Sequence, residues 1–235
     1  MLERIVFLDT ETTGMNKTGI LYQNHKIIEI GAIEMINRKF TGKNLHFYLQ
    51  PNRLVDNEAY KIHGISNKFL MNKPVFFEVS KKILKFLKNS MLVVHNAIFD
   101  ISFLDYEFSC VSTNIPKIHT FCNIFDTLVF SRKLFPGKKN TLDALCQRYQ
   151  INNKNRLLHG ALLDAKLLAQ VYLSMTSKQE TFCFKEKKYL KIQKKLKDIS
   201  NDICVSSIIY ATKIEEKNHF NYLKDILKNS KKNFW

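Results

Sequence analysis

Ile5-Val6-Phe7-Leu8-Asp9-Thr10-Glu11 is the stretch that decides the fold. An unbroken apolar run that stops at an acid reads as a buried strand whose carboxyl end lies at a site. Ile27 to Ile36 reads as a second strand. Gly42–Leu49 reads as a third, because Leu45, Phe47 and Leu49 alternate with polar neighbours. These three predict an antiparallel meander. Pro74 then opens a helix in which Phe76, Val79, Ile83, Phe86 and Leu87 recur at helical spacing, while Lys81, Lys82, Lys85 and Lys88 face water. Met91–His95 is another buried strand, Ala97–Phe108 a helix, and Ile124–Asp126 a last short strand. Helices follow at about 127–134, 141–149 and 160–175. The order predicts an α/β domain over residues 1–176, a mixed five-stranded sheet flanked by helices.

Composition shifts after Met175. Residues 177–200 read as a linker, lysine-dominated from Lys185 to Lys197. Residues 201–235 read as a tail. It holds a β-like run at Ile203–Tyr210, then Phe220, Leu223, Ile226 and Leu227 at helical spacing. Such a tail is too short to fold stably alone, and its apolar face predicts a partner.

The net charge of +16 suits a nucleic-acid partner, because lysines neutralise phosphates and release counterions. The joint richness in Lys, Asn, Ile and Phe also fits AT-rich codons, so charge alone decides nothing. The five cysteines stand singly, without the paired spacing of a disulfide framework or a zinc site. No apolar run approaches a membrane span, and Met1-Leu2-Glu3-Arg4 does not begin a signal peptide. A cytoplasmic location, with no membrane partner, is expected.

Asp9 and Glu11 are two apart on a strand, so their carboxylates share one face. Paired acids there repel, and a hard cation such as Mg²⁺ or Mn²⁺ relieves the repulsion. Thr12, Thr13 and Gly14 follow, with hydroxyls for a phosphate or sugar and a glycine for close approach of a ligand. An acid-x-acid pair alone is usually no more than surface residues or caps. His95-Asn96-Ala97-Ile98-Phe99-Asp100 lies at a strand-to-helix junction, where open α/β sheets place ligands. Asp100 reads either as a favourable charge in a helix's first turn or as a third metal ligand. Phe99 reads as core or as a platform for a base. In His159-Gly160-Ala161-Leu162-Leu163-Asp164, the histidine precedes a helix carrying Asp164 in its second turn. A histidine can take a proton from water near neutral pH. Asp126 reads as a helix N-cap. His25, His46, His119 and His219 show no partner pattern.

Together the three motifs resemble the DEDDh exonuclease family, whose four acids and histidine read here as Asp9, Glu11, Asp100, Asp164 and His159. The resemblance implies an RNase H-like fold and 3′→5′ hydrolysis of the terminal phosphodiester, releasing nucleoside monophosphates. It implies two divalent ions, Mg²⁺ or Mn²⁺, on the four acids, with His159 as base. Asp9, Glu11, Thr12, His63, Asn96, Phe99 and Asp164 are the expected substrate contacts, with His63-Gly64-Ile65 similar to a family loop near the substrate end.

Within that family, Phe7–Met15, His25–Ala32, Leu142–Cys146 and Leu158–Ala165 resemble the proofreading epsilon subunits of bacterial DNA polymerase III. That resemblance implies DNA 3′ ends as substrate and association of residues 201–235 with the polymerase catalytic subunit. Gln179-Glu180-Thr181-Phe182-Cys183-Phe184 resembles a sliding-clamp motif anchored by Gln179, Phe182 and Phe184, with Phe182 where Leu or Met is commoner. A small accessory subunit is a further expected partner. Two rival readings remain: an RNA-trimming DEDDh enzyme, which lacks such a tail, and a non-catalytic adaptor, which needs no complete set of acids.

Overall fold

The computed structural model describes residues 3–153, 158–177 and 211–229. The chain divides into two units, residues 1–179 and 180–235, taken separately below.

In the first unit the meander forms as its alternation predicts. Strand β1 (Arg4–Thr12) pairs antiparallel with β2 (Ile27–Ile36), and β2 with β3 (Lys39–Tyr48). Three short helical elements absent from the sequence reading intervene before or beside the remaining strands: α1 (Asn57–His63), α2 (Asn67–Leu70) and a 3-10 turn at Ile118–Thr120. Helix α3 (Phe76–Leu87) starts where Glu78 accepts a hydrogen bond from the Val75 N–H. Strand β4 (Met91–Val94) joins β1 in parallel, helix α4 (Ala97–Val111) follows, and β5 (Asn123–Asp126) joins β4 in parallel. Helices α5 (Thr127–Leu134), α6 (Leu142–Arg148) and α7 (Ala161–Thr176) complete the unit. The sheet order is β3-β2-β1-β4-β5, so β1 is central.

Alternation along β1 divides the core into two layers. Val6 and Leu8 pack with Leu92 and Val94 against α3 and α4, through Val79, Ile83, Phe103 and Phe108. Ile5 and Phe7 pack with Val93 and Met35 against α6 and α7, through Leu145, Leu168 and Tyr172. Phe7 is fully buried; such a side chain contributes about 1.5–3 kcal/mol by leaving water. Gly31 matters on the second face. A Cβ there would come within 2.2 Å of the Leu162 backbone nitrogen, so α7 lies on the sheet only because residue 31 has no side chain.

The second unit is described over residues 211–229. Helix α8 (Lys213–Asn229) forms where the apolar spacing predicted one. The Thr212 hydroxyl accepts from the Glu215 N–H, and Glu215 accepts from the Thr212 N–H, a reciprocal N-terminal cap. The linker, the β-like run 203–210 and the motif 179–184 lie outside the described residues. Among the described residues no helix is long and apolar enough to cross a membrane.

Candidate active site

The carboxyl end of β1 opens into a cavity of about 790 Å³. Asp9 and Glu11 line it from the strand, Asp100 from α4, and His159 and Asp164 from the start of α7. Thr12, His63, Asn96 and Phe99 line it too, so these nine expected site residues face one cavity.

Two devices bring the distant acids to β1. Thr10 points to the sheet face opposite Asp9 and Glu11, and its hydroxyl donates to Asp100 Oδ1 at 2.7 Å. Asp100 is 2% exposed, and burial pushes its pKa up to about 7. The Thr10 hydroxyl and nearby backbone N–H groups oppose that rise, and the charge of Asp126 adds to it. On the other face, α7 starts over Gly31 and presents Asp164 in its first turn, one turn earlier than expected. Asp164 Oδ2 lies 3.5 Å from His159 Nδ1. The backbone N–H of His159 donates to the Ile62 carbonyl at 3.1 Å, which pins the histidine loop to α1.

Among the described residues, Glu11, His159 and Asp164 each offer a ligand atom, all within 4.8 Å of one another. Asp9 and Asp100 add hard oxygen donors to the same cavity. The carboxylate-rich set fits a divalent cation.

His63 closes α1 rather than sitting in an open loop, and it is 5% exposed. Its Nδ1 accepts from the Ile65 N–H at 3.0 Å, which leaves the proton on the buried Nε2. Burial lowers its pKa; the Thr12 backbone opposes the shift and His159 reinforces it. Asn96 takes a left-handed backbone (φ 74°) at the start of α4. Asp126 caps two helices at once, accepting from Leu128 N–H in α5 and from Asn96 and Ala97 N–H groups in α4. Its reading as a cap therefore stands. Phe99 is both core and cavity wall, packed 5.0 Å from the Phe103 ring.

Two expectations need correction. The Thr13 hydroxyl is fully buried and accepts from the Lys26 N–H, so it is withdrawn from any ligand. Gly14 (φ 143°) makes room chiefly for protein, since a Cβ there would meet Asp56 Oδ2 at 2.5 Å and the His25 ring at 2.9 Å. His46, without a partner pattern in sequence, lies 2.7 Å from Glu29. Sequence reasoning also passed over one cavity wall, formed by Arg132, Lys138 and Lys139. The Pro136-Gly137 turn ahead of Lys138 and Lys139 was the available signal.

The exonuclease family of the RNase T type matches residues 6–172. DNA polymerase III subunit epsilon of Buchnera aphidicola subsp. Schizaphis graminum (strain Sg) is 53% identical over 94% of this chain and 96% of its own length. DNA polymerase III subunit epsilon of Escherichia coli (strain K12) is 56% identical over 78% of this chain and 75% of its own. Among solved structures, the nuclease domain of 3′hExo, a DEDDh family member bound to rAMP, shares the fold with a TM-score of 0.59. It covers 74% of this chain and 92% of that one at 16% identity. With the acids and histidine of the DEDDh pattern gathered in one cavity and this degree of likeness along its length, the chain belongs to the exonuclease family, among the DNA polymerase III epsilon subunits.

Proposed function

We propose that the protein trims DNA 3′ ends one nucleotide at a time as the proofreading nuclease of DNA polymerase III, with Asp9, Glu11, Asp100 and Asp164 holding two divalent ions and His159 as base. The observation that carries this reading is the convergence of Glu11, Asp164 and His159 within 4.8 Å, with Asp9 and Asp100 lining the same cavity. Divalent ions such as Mg²⁺ or Mn²⁺, held there by these acids, would supply activation of the attacking water and neutralisation of charge on the leaving oxygen. Asp9 would serve both ions, Glu11 and Asp164 would hold the one beside His159, and Asp100 would act on the leaving-group side.

His159 takes the water's proton. Its side chain is 43% exposed, so the ring reaches the cavity, while Asp164 and the Ile62 carbonyl hold its orientation. His63 lines the cavity wall and contacts the terminal nucleotide. Phe99 packs on a base and Asn96 orients the sugar-phosphate. The Thr12 hydroxyl already donates to the Gly14 carbonyl at 2.9 Å, so its contact with substrate uses its remaining lone pair.

Beyond the nuclease unit (1–176), the linker 177–200 carries a clamp motif at Gln179, Phe182 and Phe184. Residues 201–235 bind the polymerase catalytic subunit through the apolar stripe of α8. Tethering of this kind raises the nuclease's effective concentration at the primer end. A small accessory subunit is a further proposed partner, and the proposed location is the cytoplasm.

The test compares a 5′-labelled primer carrying a frayed 3′ mismatch with a short RNA of the same length. The expected result is stepwise shortening of the DNA from its 3′ end, abolished by EDTA, with the RNA degraded far more slowly. Preferential digestion of RNA would move the protein to the RNA-trimming branch of its family.

A further inference from the structure

Glu29 is an acid that the proposed chemistry does not use, yet its placement ties it to the site. It is 2% exposed, near the start of β2. Its Oε1 lies 2.7 Å from His46 Nε2, while its Oε2 is buried without a hydrogen bond. Burying a carboxylate oxygen unpaired costs on the order of 1–3 kcal/mol or more, so a free acceptor here calls for an explanation.

Register supplies one. Glu29 is the direct cross-strand partner of Glu11, and Gly31 of Asp9. Directly opposed residues of an antiparallel pair project to the same face, with Cβ atoms about 4.5–5.5 Å apart. Glu29 therefore shares the sheet face of both β1 acids. Two like charges opposed on one face destabilise a sheet. The arrangement is stable once a cation sits on the Glu11 side.

The surroundings of Glu29 fix it. His46, on β3, holds Oε1. Tyr48, its cross-strand partner on the other side, has a phenol whose pKa is raised by burial, then by the Glu29 charge and by a hydrogen bond to the Glu29 side chain, which places the hydroxyl beside the carboxylate. The side chain is thus held from β3, by His46 and by Tyr48.

We propose that Glu29 is a positioning residue of the cation site, an outer acid that strengthens divalent-cation binding through Glu11 and through water hydrating the ion. The donor that Oε2 lacks comes from that water, and the Glu29 charge adds to the attraction felt by the cation. The inference rests on the proposed cation-holding role of Asp9, Glu11, Asp100 and Asp164. Partners lying outside a metal's ligands typically change affinity by about 10–100-fold when altered.

The test is direct Mn²⁺ binding to the full chain, read by electron paramagnetic resonance of free Mn²⁺, with no substrate present. Glu29→Gln keeps the size of the side chain and an acceptor for His46. It is expected to weaken Mn²⁺ binding by about tenfold, while the melting temperature in EDTA does not fall. Binding within twofold of the unsubstituted protein would overturn the proposal. Should Glu29→Gln not fold, His46→Leu, at a partly exposed position, unties Oε1; it is expected to weaken binding severalfold, and unchanged affinity would again overturn it. Asp9→Ala is run alongside. Retention of full Mn²⁺ binding by that variant would sink the underlying cation site itself, a result separable from failure of Glu29 alone.

Discussion

The Thr10 hydroxyl donates to Asp100 Oδ1 at 2.7 Å, joining residues ninety positions apart where both are buried. Thr10 lies between two site acids in sequence but points to the opposite face, so β1 contributes from both sides: Asp9 and Glu11 directly, and Asp100 through Thr10. Thr10→Val keeps the β-branched shape and removes the donor. The expected result is a loss of about 1–3 kcal/mol in stability and a clear fall in kcat, measured by chemical denaturation and single-turnover digestion.

Asp100 itself carries a cost in the absence of a cation. Its pKa of about 7 lies above its ordinary value of 3.8. A raised carboxyl pKa favours the folded state at low pH and loses that advantage as pH rises from about 4 through 7. Asp100→Asn keeps an acceptor for Thr10 and removes the ionisation. In EDTA it is expected to melt higher than the unsubstituted protein at pH 8, with the gap closing towards pH 4, while nuclease activity is lost. Thermal melts across that range check the sign.

Gly31 is where the sheet admits α7. Gly31→Ala puts a Cβ within 2.2–2.4 Å of the backbone of Ala161 and Leu162. Backbone cannot step aside as a side chain can, so the helix start must move. The expected cost is about 1–3 kcal/mol or more in stability. Because displacement of catalytic groups by about 1 Å can cost on the order of 100-fold in rate, activity is expected to fall further than stability alone explains. Digestion assayed well below the variant's melting temperature separates the two.

Glu34 gives the fold its own acid limb. Burial acts to raise its pKa, but hydrogen bonds from Arg4 and Thr41 and the charges of Arg4 and Lys43 prevail, and the pKa is lowered. The Arg4–Glu34 contact is 2.6 Å. A lowered pKa means stability present above the ordinary value of 4.5 and lost as pH falls through the folded-state value. Arg4→Met removes one partner of a part-buried pair. It is expected to cost roughly 1–3 kcal/mol at neutral pH and less as pH falls below 4.5, as urea titrations at neutral and acid pH will report.

What the sequence disclosed follows from how far each signal reaches along the chain. The β1 run, the helical spacing of Phe76 to Leu87 and the acid-x-acid pair are local, and all three appear where expected. Asp100 and His159 were legible because each sits at a junction whose residue types carry a pattern. The short helices α1 and α2, of seven and four residues, lie below the length at which periodicity speaks. The second role of Asp126, the use of Thr10 and the Glu29–His46 pair depend on register and on neighbours 17 to 90 residues away. Gly31 resembles any strand glycine until α7 is seen lying on it.

The most direct test of the central claim is the rate of 3′-mismatch excision by Asp9→Ala beside the unsubstituted protein, in Mg²⁺, with folding and polymerase association checked on the same samples. The account predicts a loss of about 10²–10³-fold or more, the range seen when a main electrostatic contributor is removed, with melting temperature and polymerase co-elution retained. Excision by Asp9→Ala at the rate of the unsubstituted protein would contradict it.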